Sequence, residues 1–340
     1  MFKKIAVLGS GGTGSVIGGL LEKGGCDVTI IDQWPAHVEA MKHNGLEVAV
    51  REEVFQIPVK AYHICEVATL HHEFDLIFLA CKSYDSLWMV QLIQPYLKSN
   101  GVLVSAQNSL NDEWIAPLIG YTRDIGCVLT MSSEVFKPGR VSRNTPMDQI
   151  TFTIGELHGR ITPRLKSIQE ILNLVGKTEV TTNILGRKWA KTVFNSMVGP
   201  LCGVGGVRPH QLTETPERLR VGLKLGQESI QVGLAHGYYM DEVFGELNMV
   251  EAFTTTEILK QMLIKAIAKE GKPTCSFYHQ DALKGRRTEV DYINGLVSRK
   301  GREAGVPTPM NDVTTEMVHR LERGEIKPDP ANIKELEKHL

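Results

Sequence analysis

The fold of this chain is decided by the stretch KIAVLGSGGTGSVIGG, which occupies residues 4–19. A short apolar run at residues 5–8 breaks into a glycine-rich turn and then into a segment with helical character. This order of strand, turn and helix opens a Rossmann βαβ unit. In such a unit Gly9 allows the tight turn, Gly11 lets the backbone approach a pyrophosphate, and Gly14 lets the helix pack closely against the strand.

The glycine turn predicts a dinucleotide-binding site. Glycine turns also serve as plain connectors, but the position after a strand and before a helix favours the binding interpretation. The free N–H groups at the start of the helix would then face the phosphates. The turn residues that we predict to bind the cofactor are Gly9, Ser10, Gly11, Gly12, Thr13 and Gly14.

Length and composition indicate a two-domain globular protein. The chain has 340 residues, of which 42% are hydrophobic and 23% charged. The 38 Lys and Arg residues nearly balance the 39 Asp and Glu residues, so no overall field attracts nucleic acid or an anionic membrane. The apolar run after Lys3 and Lys4 is too short for a signal peptide, and no segment reaches about 18 consecutive apolar residues. We therefore expect a cytoplasmic protein with a small-molecule substrate and neither nucleic-acid nor membrane partners.

Neither cysteines nor histidines predict a metal site. The six cysteines are scattered without a C-x-x-C pair, which is typical of buried free thiols in an enzyme-sized chain. His63, His71 and His72 are close in sequence, but their spacing matches no metal-ligand pattern, so solvated loop histidines are the simpler interpretation.

An acidic residue ends the second predicted strand, residues 27–32. Asp32 lies 18 residues beyond Gly14, close to the position from which a carboxylate binds the adenosine ribose. A carboxylate there accepts hydrogen bonds from the ribose hydroxyls and repels a 2′-phosphate. No Arg or Lys occurs in residues 33–37 to bind that phosphate. The alternative is an ordinary aspartate in a turn, but the position favours NAD over NADP.

Two further polar residues follow predicted strands. Lys82 comes directly after the buried-type strand at residues 75–81, and Asn108 follows the strand at residues 102–106. Ligands of open α/β sheets bind outside the carboxyl ends of the strands, so both side chains are candidates to contact cofactor or substrate. Without other information, ordinary surface residues remain the alternative.

The composition changes after the last predicted strand, residues 178–182, and from Leu185 onward nearly everything reads as helix. We predict an α/β protein: a Rossmann-type domain over residues 1–182, an all-α domain over residues 183–325, and a solvated polar tail over residues 326–340. One of the predicted helices of the second domain runs from about Met249 to Ala268.

A lysine and an asparagine stand together at the start of the helical domain. Lys191 and Asn195 are four residues apart and therefore share one helix face. A lysine in a mostly apolar helix can have a lowered pKa and act as a proton donor. The alternative is a surface lysine whose stem packs on apolar neighbours.

Several stretches, taken in order, resemble one known family. The chain resembles the ketopantoate reductase (2-dehydropantoate 2-reductase) family of pantothenate biosynthesis over roughly residues 2–322. The residues that carry the resemblance are the N-terminal glycine turn, Lys82, Gln107-Asn108, Trp189-Ala190-Lys191 with Asn195, the stretch RRTEVDYING at residues 286–295, and PTPMN at residues 307–311.

The resemblance implies a Rossmann domain followed by a helical domain, with the active site in the cleft between them. It implies hydride transfer from a reduced nicotinamide to the ketone of a 2-oxo acid. Lys191 would be the general acid, and Glu289 would hold the substrate hydroxyl, help to set the state of the lysine and contribute to the cofactor site. Asn108 and Lys82 would position nicotinamide and substrate, and Asn195 would bind substrate.

Three departures from the family pattern bear on cofactor and substrate. The family usually takes NADP, often marked by a basic residue after the second strand, where this chain has Asp32. The family often has a second Asn one turn beyond Asn195, where this chain has Gly199 and, by our prediction, empty space. A family serine that contacts the substrate carboxylate aligns with Phe277, and the neighbouring Ser276 is our candidate for that contact.

Three functions follow from these observations. The first is an NAD(P)-dependent reductase of ketopantoate or a related 2-oxo acid. The second is an NAD-dependent D-2-hydroxyacid dehydrogenase with an apolar side-chain pocket, favoured by Phe277 and Gly199. The third is a non-catalytic dinucleotide sensor, which would not need Lys191 and Glu289 together. NAD is the favoured cofactor and NADP the family alternative. A homodimer is compatible with the sequence, which does not determine the oligomeric state.

Overall fold

The chain is described from a computed structural model that covers residues 2–240, 255–269 and 275–340. It divides into two units, Met1–Ile184 and Leu185–Leu340. This division falls two residues after the predicted boundary between residues 182 and 183.

The first unit is built on an eight-stranded sheet in the order β12-β11-β8-β7-β6-β1-β2-β5. Every neighbouring pair is parallel except β8 and β11. The twelve strands of the unit are β1 (Lys4–Leu8), β2 (Asp27–Asp32), β3 (Leu46–Val50), β4 (Glu53–Ile57), β5 (Lys60–His63), β6 (Phe74–Leu79), β7 (Leu97–Ser105), β8 (Asp124–Leu129), β9 (Ser133–Lys137), β10 (Arg140–Arg143), β11 (Ile150–Glu156) and β12 (Lys177–Val180).

Helices cover both faces of this sheet, because its strands are apolar on both sides. Ile5 and Val7 of β1 point into one core, while Ala6 and Leu8 point into the other. The first core is completed by α1, α2 and α5, the second by α3 and α4. The five helices are α1 (Gly12–Lys23), α2 (Pro35–Asn44), α3 (Ser86–Ile93), α4 (Asp112–Ile119) and α5 (Pro163–Asn173). The prediction of a Rossmann domain is confirmed.

A second, four-stranded sheet in the order β4-β3-β10-β9 was not predicted as such. In this sheet β3 pairs with β4 and with β10 of the β9–β10 hairpin, and none of these strands joins the main sheet. The hairpin turns at Gly139, which has φ +73°. Its strands are short and polar, so hydrophobic alternation does not reveal them.

The second unit is mostly helical, as predicted. Its first helix, α6, begins at Ile184, which is the last residue of the first unit. The helices are α6 (Ile184–Gly205), α7 (Pro216–Ala235), α8 (Thr256–Lys269), α9 (Phe277–Leu283), α10 (Asn294–Ala304), α11 (Pro309–Glu322) and α12 (Pro330–Glu337). The helix predicted from Met249 corresponds to α8, and its expected first residues lie outside the described part of the chain. None of the described helices is long and apolar enough to cross a membrane.

The prediction of a solvated polar tail at residues 326–340 is wrong. This segment forms α12, in which Ile333 and Leu336 are buried. The backbone N–H of Asp329 and the side-chain amide of Asn332 both donate to the carbonyl of Val204, each at 2.9 Å. Two apolar residues three positions apart suffice to bury one side of a short helix whose other side is charged.

Candidate functional site

The glycine turn between β1 and α1 leaves no room for side chains at three of its glycines, Gly9, Gly12 and Gly14; a β-carbon at Gly12 would lie 2.6 Å from Oγ of Ser133. Gly9 has φ +91°, and a β-carbon there would lie 2.7 Å from the backbone nitrogen of Cys81. A β-carbon at Gly14 would lie 1.8 Å from the carbonyl oxygen of Gly9. At Gly11, in contrast, a β-carbon would meet nothing within 4 Å. Gly9, Gly12 and Gly14 are therefore required by packing, while Gly11 borders open space.

Asp32 holds the turn in place. It is the last residue of β2 and is buried, and its carboxylate accepts hydrogen bonds from the backbone N–H groups of Ser10 and, at 2.7 Å, Trp34. Asp32 therefore has the structural role that the alternative interpretation assigned to it, that of an aspartate in a turn. Each carboxylate oxygen has a second lone pair, so the same group retains capacity to accept from a ribose hydroxyl.

Buried polar atoms near the turn fit a bound dinucleotide. The hydroxyl of Ser10 and the side-chain oxygen of Gln107 are buried, and neither has a hydrogen-bond partner among the described residues. The amide nitrogen of Gln107 is held by the Cys81 carbonyl and the Ser86 hydroxyl, both at 2.8 Å. Buried polar groups are normally satisfied, so these two unpartnered atoms fit a ligand that supplies polar groups.

Lys82 and Asn108 lie at the same edge of the main sheet as the glycine turn. In the parallel register Leu8 of β1 pairs with Leu79 of β6, which pairs with Ser105 of β7. Both residues therefore follow carboxyl ends of adjacent strands, and both are half-buried. The structure thus gathers the candidate cofactor residues of the first unit on one edge.

In the second unit, α6 presents Lys191, Asn195 and Gly199 on one face, because they are spaced four residues apart. Asn195 is buried and Lys191 is half-buried. The ammonium of Lys191 lies 4.9 Å from the centroid of the Phe194 ring, within the range of a cation–π interaction. The ammonium of Lys191 therefore has an aromatic neighbour on its own helix.

Trp189 anchors this part of α6. Its indole N–H donates to the carbonyl of Ser229 on α7 at 3.0 Å, and its ring stacks on Tyr238 at 5.1 Å. A β-carbon at Gly233 would lie 2.1 Å from the indole nitrogen, so the glycine is needed for this approach. The tryptophan of the Trp-Ala-Lys motif thus fixes the helix that carries Lys191.

Glu289 is buried in the second unit. Burial raises the pKa of the Tyr278 phenol well above its usual range, and the nearby Glu289 carboxylate raises it further. The ring of Tyr278 in turn lies against Gly199. The backbone N–H of Thr288 donates to Glu322 at 2.6 Å, which fixes the segment that carries Glu289. Lys191 and Glu289, the predicted catalytic pair, both belong to the second unit.

The predicted empty space at Gly199 does not exist. A β-carbon at that position would lie 2.7 Å from Cδ2 of Tyr278 and 3.1 Å from Cζ of Phe277. Ser276, the candidate for a substrate contact, begins α9 as its N-cap and accepts from the N–H of His279 at 3.2 Å. Aromatic rings thus occupy the space that the glycine leaves, and the serine already has a structural partner.

Other motif residues of the second unit hold the helices together. The side-chain amide of Asn294 donates to Asn311 at 3.0 Å and to the carbonyl of Ser196 at 3.2 Å. Glu228 is buried and accepts from the N–H groups of Met310 and Asn311 at the start of α11. Sequence inspection missed Glu228, because a single acid in a long amphipathic helix gives no local signal.

The burial of the cysteines differs in part from the prediction. All six cysteines are free thiols, but only Cys127 and Cys202 are buried, while Cys65 is exposed. The prediction of buried thiols is therefore wrong for the others. Of the histidines, His63 lies at the end of β5, and its Nδ1 is 3.0 Å from Sγ of Cys65. Among the described residues, no group of three or more His, Cys, Asp or Glu side chains could hold a metal ion.

This combination of a Rossmann unit with a lysine-bearing helical unit defines a class of two-domain oxidoreductases. Two family models match the chain: ketopantoate reductase PanE/ApbA over residues 5–159, and the C-terminal domain of the same family over residues 183–322. The chain belongs to the ketopantoate reductase PanE/ApbA family, whose named members are oxidoreductases acting on a CH–OH group.

Relatives named 2-dehydropantoate 2-reductase match over nearly the whole chain. A 2-dehydropantoate 2-reductase from Pyrococcus horikoshii is 29% identical over 94% of this chain and 97% of its own length. One from Archaeoglobus fulgidus is 27% identical over 95% of this chain and 99% of its own length.

Solved structures share the fold. A ketopantoate reductase of the PanE/ApbA family from Ralstonia eutropha JMP134 superimposes with a TM-score of 0.79 at 23% identity, covering 95% of this chain and 99% of its own. D-mandelate dehydrogenase, solved with NADH and anilino(oxo)acetate, also gives a TM-score of 0.79, at 22% identity over 94% of this chain and 99% of its own.

Proposed function

We propose that this protein reduces a 2-oxo acid, 2-dehydropantoate or a relative, to the 2-hydroxy acid with NADH. The observation that carries the proposal is that α6 places the half-buried Lys191 one turn before the buried Asn195, in the same unit as the buried Glu289. Membership of the ketopantoate reductase family supports the reaction type. The glycine turn, with open space at Gly11, supports a bound dinucleotide.

The residues of the second unit supply the proton. When bound, a reduced nicotinamide delivers a hydride, with its two electrons, to the ketone carbon. Negative charge then develops on the ketone oxygen, where the ammonium of Lys191 stabilises it and transfers its proton to form the hydroxyl. Asn195 and Glu289 orient the substrate. Neutral Lys191 recovers its proton from solvent.

Residues of the first unit are proposed to bind the dinucleotide. The N–H groups at the start of α1 bind the pyrophosphate, and Lys82 and Asn108 position the nicotinamide. Asp32 accepts from the ribose hydroxyls and repels a 2′-phosphate, and no basic side chain stands in residues 33–37. This combination supports NAD over NADP, although the family usually takes NADP.

One observation favours a second substrate class. Phe277 and Tyr278 close over Gly199, one turn beyond Asn195, where the family often has another asparagine. An apolar wall at this point suits a 2-oxo acid with a branched or aromatic side chain better than the hydroxyl of ketopantoate. D-mandelate dehydrogenase, with its aromatic substrate, shares this fold. The second candidate is therefore an NAD-dependent D-2-hydroxyacid dehydrogenase.

A panel of 2-oxo acids tests both candidates. We expect NADH oxidation with ketopantoate or with 2-oxo acids that carry branched or aromatic side chains. A large preference for ketopantoate excludes the second candidate, and a large preference for phenylglyoxylate or branched acids establishes it. Absence of turnover with every acid, in a protein that still binds NADH, would point to a dinucleotide sensor.

We further propose that the protein forms a homodimer. The support is a ketopantoate reductase from Staphylococcus aureus that is described as dimeric and shares the fold with a TM-score of 0.70. Sedimentation at micromolar concentration tests this, and a species of 37.7 kDa, the mass of one chain, would contradict it.

A further inference from the structure

A buried histidine is connected to the glycine turn. His37 on α2 is fully buried, and its Nδ1 accepts a hydrogen bond from the backbone N–H of Gly139 at 2.9 Å. An imidazole nitrogen that accepts carries no proton, so the ring is neutral and its hydrogen is on Nε2. Nε2 lies 3.1 Å from the hydroxyl oxygen of Ser15. The imidazole therefore donates to Ser15.

Ser15 connects the imidazole to the glycine turn through a second hydrogen bond. Because Oγ of Ser15 accepts from His37, its own hydrogen is available to the carbonyl oxygen of Ser10, 2.6 Å away. The chain of donors thus runs from the N–H of Gly139 to the His37 ring, and from the ring through Ser15 to Ser10. Both His37 and Ser15 are buried, so water does not compete for these bonds.

The hydrogen bond to the Ser10 carbonyl also determines the direction of the N–H of Gly11. The C=O of Ser10 and the N–H of Gly11 belong to one planar trans peptide, in which the two groups point in opposite directions. With the carbonyl held by Ser15, the N–H of Gly11 points to the other side. The preceding peptide is fixed as well, since the N–H of Ser10 donates to Asp32. The space beside Gly11 is open.

We propose that His37 and Ser15 are positioning residues for dinucleotide binding. They hold the Ser10–Gly11 peptide so that the N–H of Gly11 is directed at a phosphate oxygen before the ligand arrives. This inference rests on the proposed dinucleotide site. It also gives the β9–β10 hairpin a function, because Gly139 at its turn orients the imidazole. A side chain at Gly139 would approach Ala40 to 2.9 Å, so the contact needs glycine.

Direct binding to the full-length protein tests the proposal. The dissociation constants of NADH and of ADP-ribose, which has the pyrophosphate but no nicotinamide, are measured by calorimetry for Ser15→Ala, Ser15→Thr and His37→Asn. Ser15→Ala removes the hydroxyl, Ser15→Thr retains it, and His37→Asn keeps an acceptor for Gly139 but does not reach Ser15. Val38→Ala, a buried neighbour on α2 outside the chain of hydrogen bonds, is the control for general destabilisation.

We expect Ser15→Ala and His37→Asn to weaken both ligands about tenfold, the size of one lost hydrogen bond to a charged group. Ser15→Thr should bind within about twofold of the parent. The KM for NADH should rise in parallel, while kcat at saturating NADH changes by less than about twofold. Val38→Ala should lower the melting temperature without changing either dissociation constant.

The possible failures are distinguishable. If Ser15→Ala and Ser15→Thr bind NADH as the parent does, whatever their melting temperatures, the positioning role is wrong and the chain of hydrogen bonds is structural only. If His37→Asn does not fold, the dissociation constants of Ser15→Ala and Ser15→Thr are sufficient to test the positioning role. A parent that binds neither NADH, NADPH nor ADP-ribose overturns the dinucleotide site itself, and this inference with it.

Discussion

The ring of Tyr278 fills the space beside Gly199, with its Cδ2 atom 2.7 Å from where a β-carbon at position 199 would be. Tyr278 is fully buried, and its hydroxyl has no hydrogen-bond partner among the described residues. The glycine on α6 and the tyrosine on α9 therefore act as a packing pair. Their contact sets how much room remains one turn beyond Asn195.

Gly199→Ala should destabilise the protein by about 1–2 kcal/mol, because the added methyl group overlaps a ring that has no space to move into. Gly222→Ala on α7 is the matched control. A β-carbon there has its nearest neighbours at 3.6 Å, so the substitution should stabilise the helix by up to about 1 kcal/mol. Urea denaturation measures both, and equal midpoints for the two variants would contradict the packing pair.

Lys191→Ala should lower kcat by about 10² or more, because the developing alkoxide loses its proton donor. The dissociation constant of NADH should stay within about twofold, since the turn residues remain. Lys166→Ala, an exposed lysine on α5, should leave kcat unchanged. Stopped-flow measurement of NADH oxidation checks this, and unaltered turnover of Lys191→Ala would exclude the lysine as general acid.

Asp32→Asn should narrow the preference for NADH over NADPH by about tenfold, because the negative charge that repels the 2′-phosphate is removed. The two oxygens of Asp32 each accept from one N–H, that of Ser10 or that of Trp34, so the single amide oxygen of asparagine retains one of these two hydrogen bonds. Asp32→Ala should narrow the preference too, with a larger loss of stability. Values of kcat/KM for both cofactors are the measurement. A parent protein that already prefers NADPH refutes the role assigned to Asp32.

The ion pair of Glu156 with Arg164 makes the stability of the first unit sensitive to acid. Burial by itself would raise the pKa of Glu156, but hydrogen bonds from Arg164 and Thr162 and the charge of Arg164 outweigh it and lower the pKa below its usual 4.5. Because the folded pKa is the lower one, the stabilisation is complete above pH 4.5 and is lost as the pH falls through the folded value.

Glu156→Gln should therefore cost about 2–3 kcal/mol at pH 7, where it leaves Arg164 without its carboxylate. Below the folded pKa the variant and the parent should converge. Urea denaturation at neutral and acidic pH measures the difference. A gap that is constant across this range would show that the charge of Glu156 is not what stabilises the unit.

Removal of α12, in a chain that ends at Glu325, should lower the free energy of unfolding by about 3 kcal/mol or more, because Ile333 and Leu336 lose their burial. The carbonyl of Val204 also loses both donors from this helix. A chain that ends at Lys338 retains all of these contacts and is the control. Thermal denaturation of the two should differ clearly, and equal melting temperatures would mean that α12 is dispensable.

The sequence alone determined the elements whose signal is local. Residues 4–19 specify strand, glycine turn and helix by their order, and the apolar run at residues 75–81 marks a strand buried on both faces. Because parallel strands end at one edge, the positions of Lys82 and Asn108 could be predicted from strand ends alone. Lys191 and Asn195 share a face by helical periodicity.

Only the tertiary structure decided what depends on distant pairs of residues. The contact of His37 with Gly139 joins positions 102 residues apart, and Tyr278 meets Gly199 from another helix. The β9–β10 hairpin and α12 were likewise missed, because short, largely polar elements contain too few apolar residues to show a period. Local patterns report how a segment folds, since that depends on its own backbone and side chains. Which buried side chain fills a given space depends on how distant segments pack, and a single sequence carries no local signal of that.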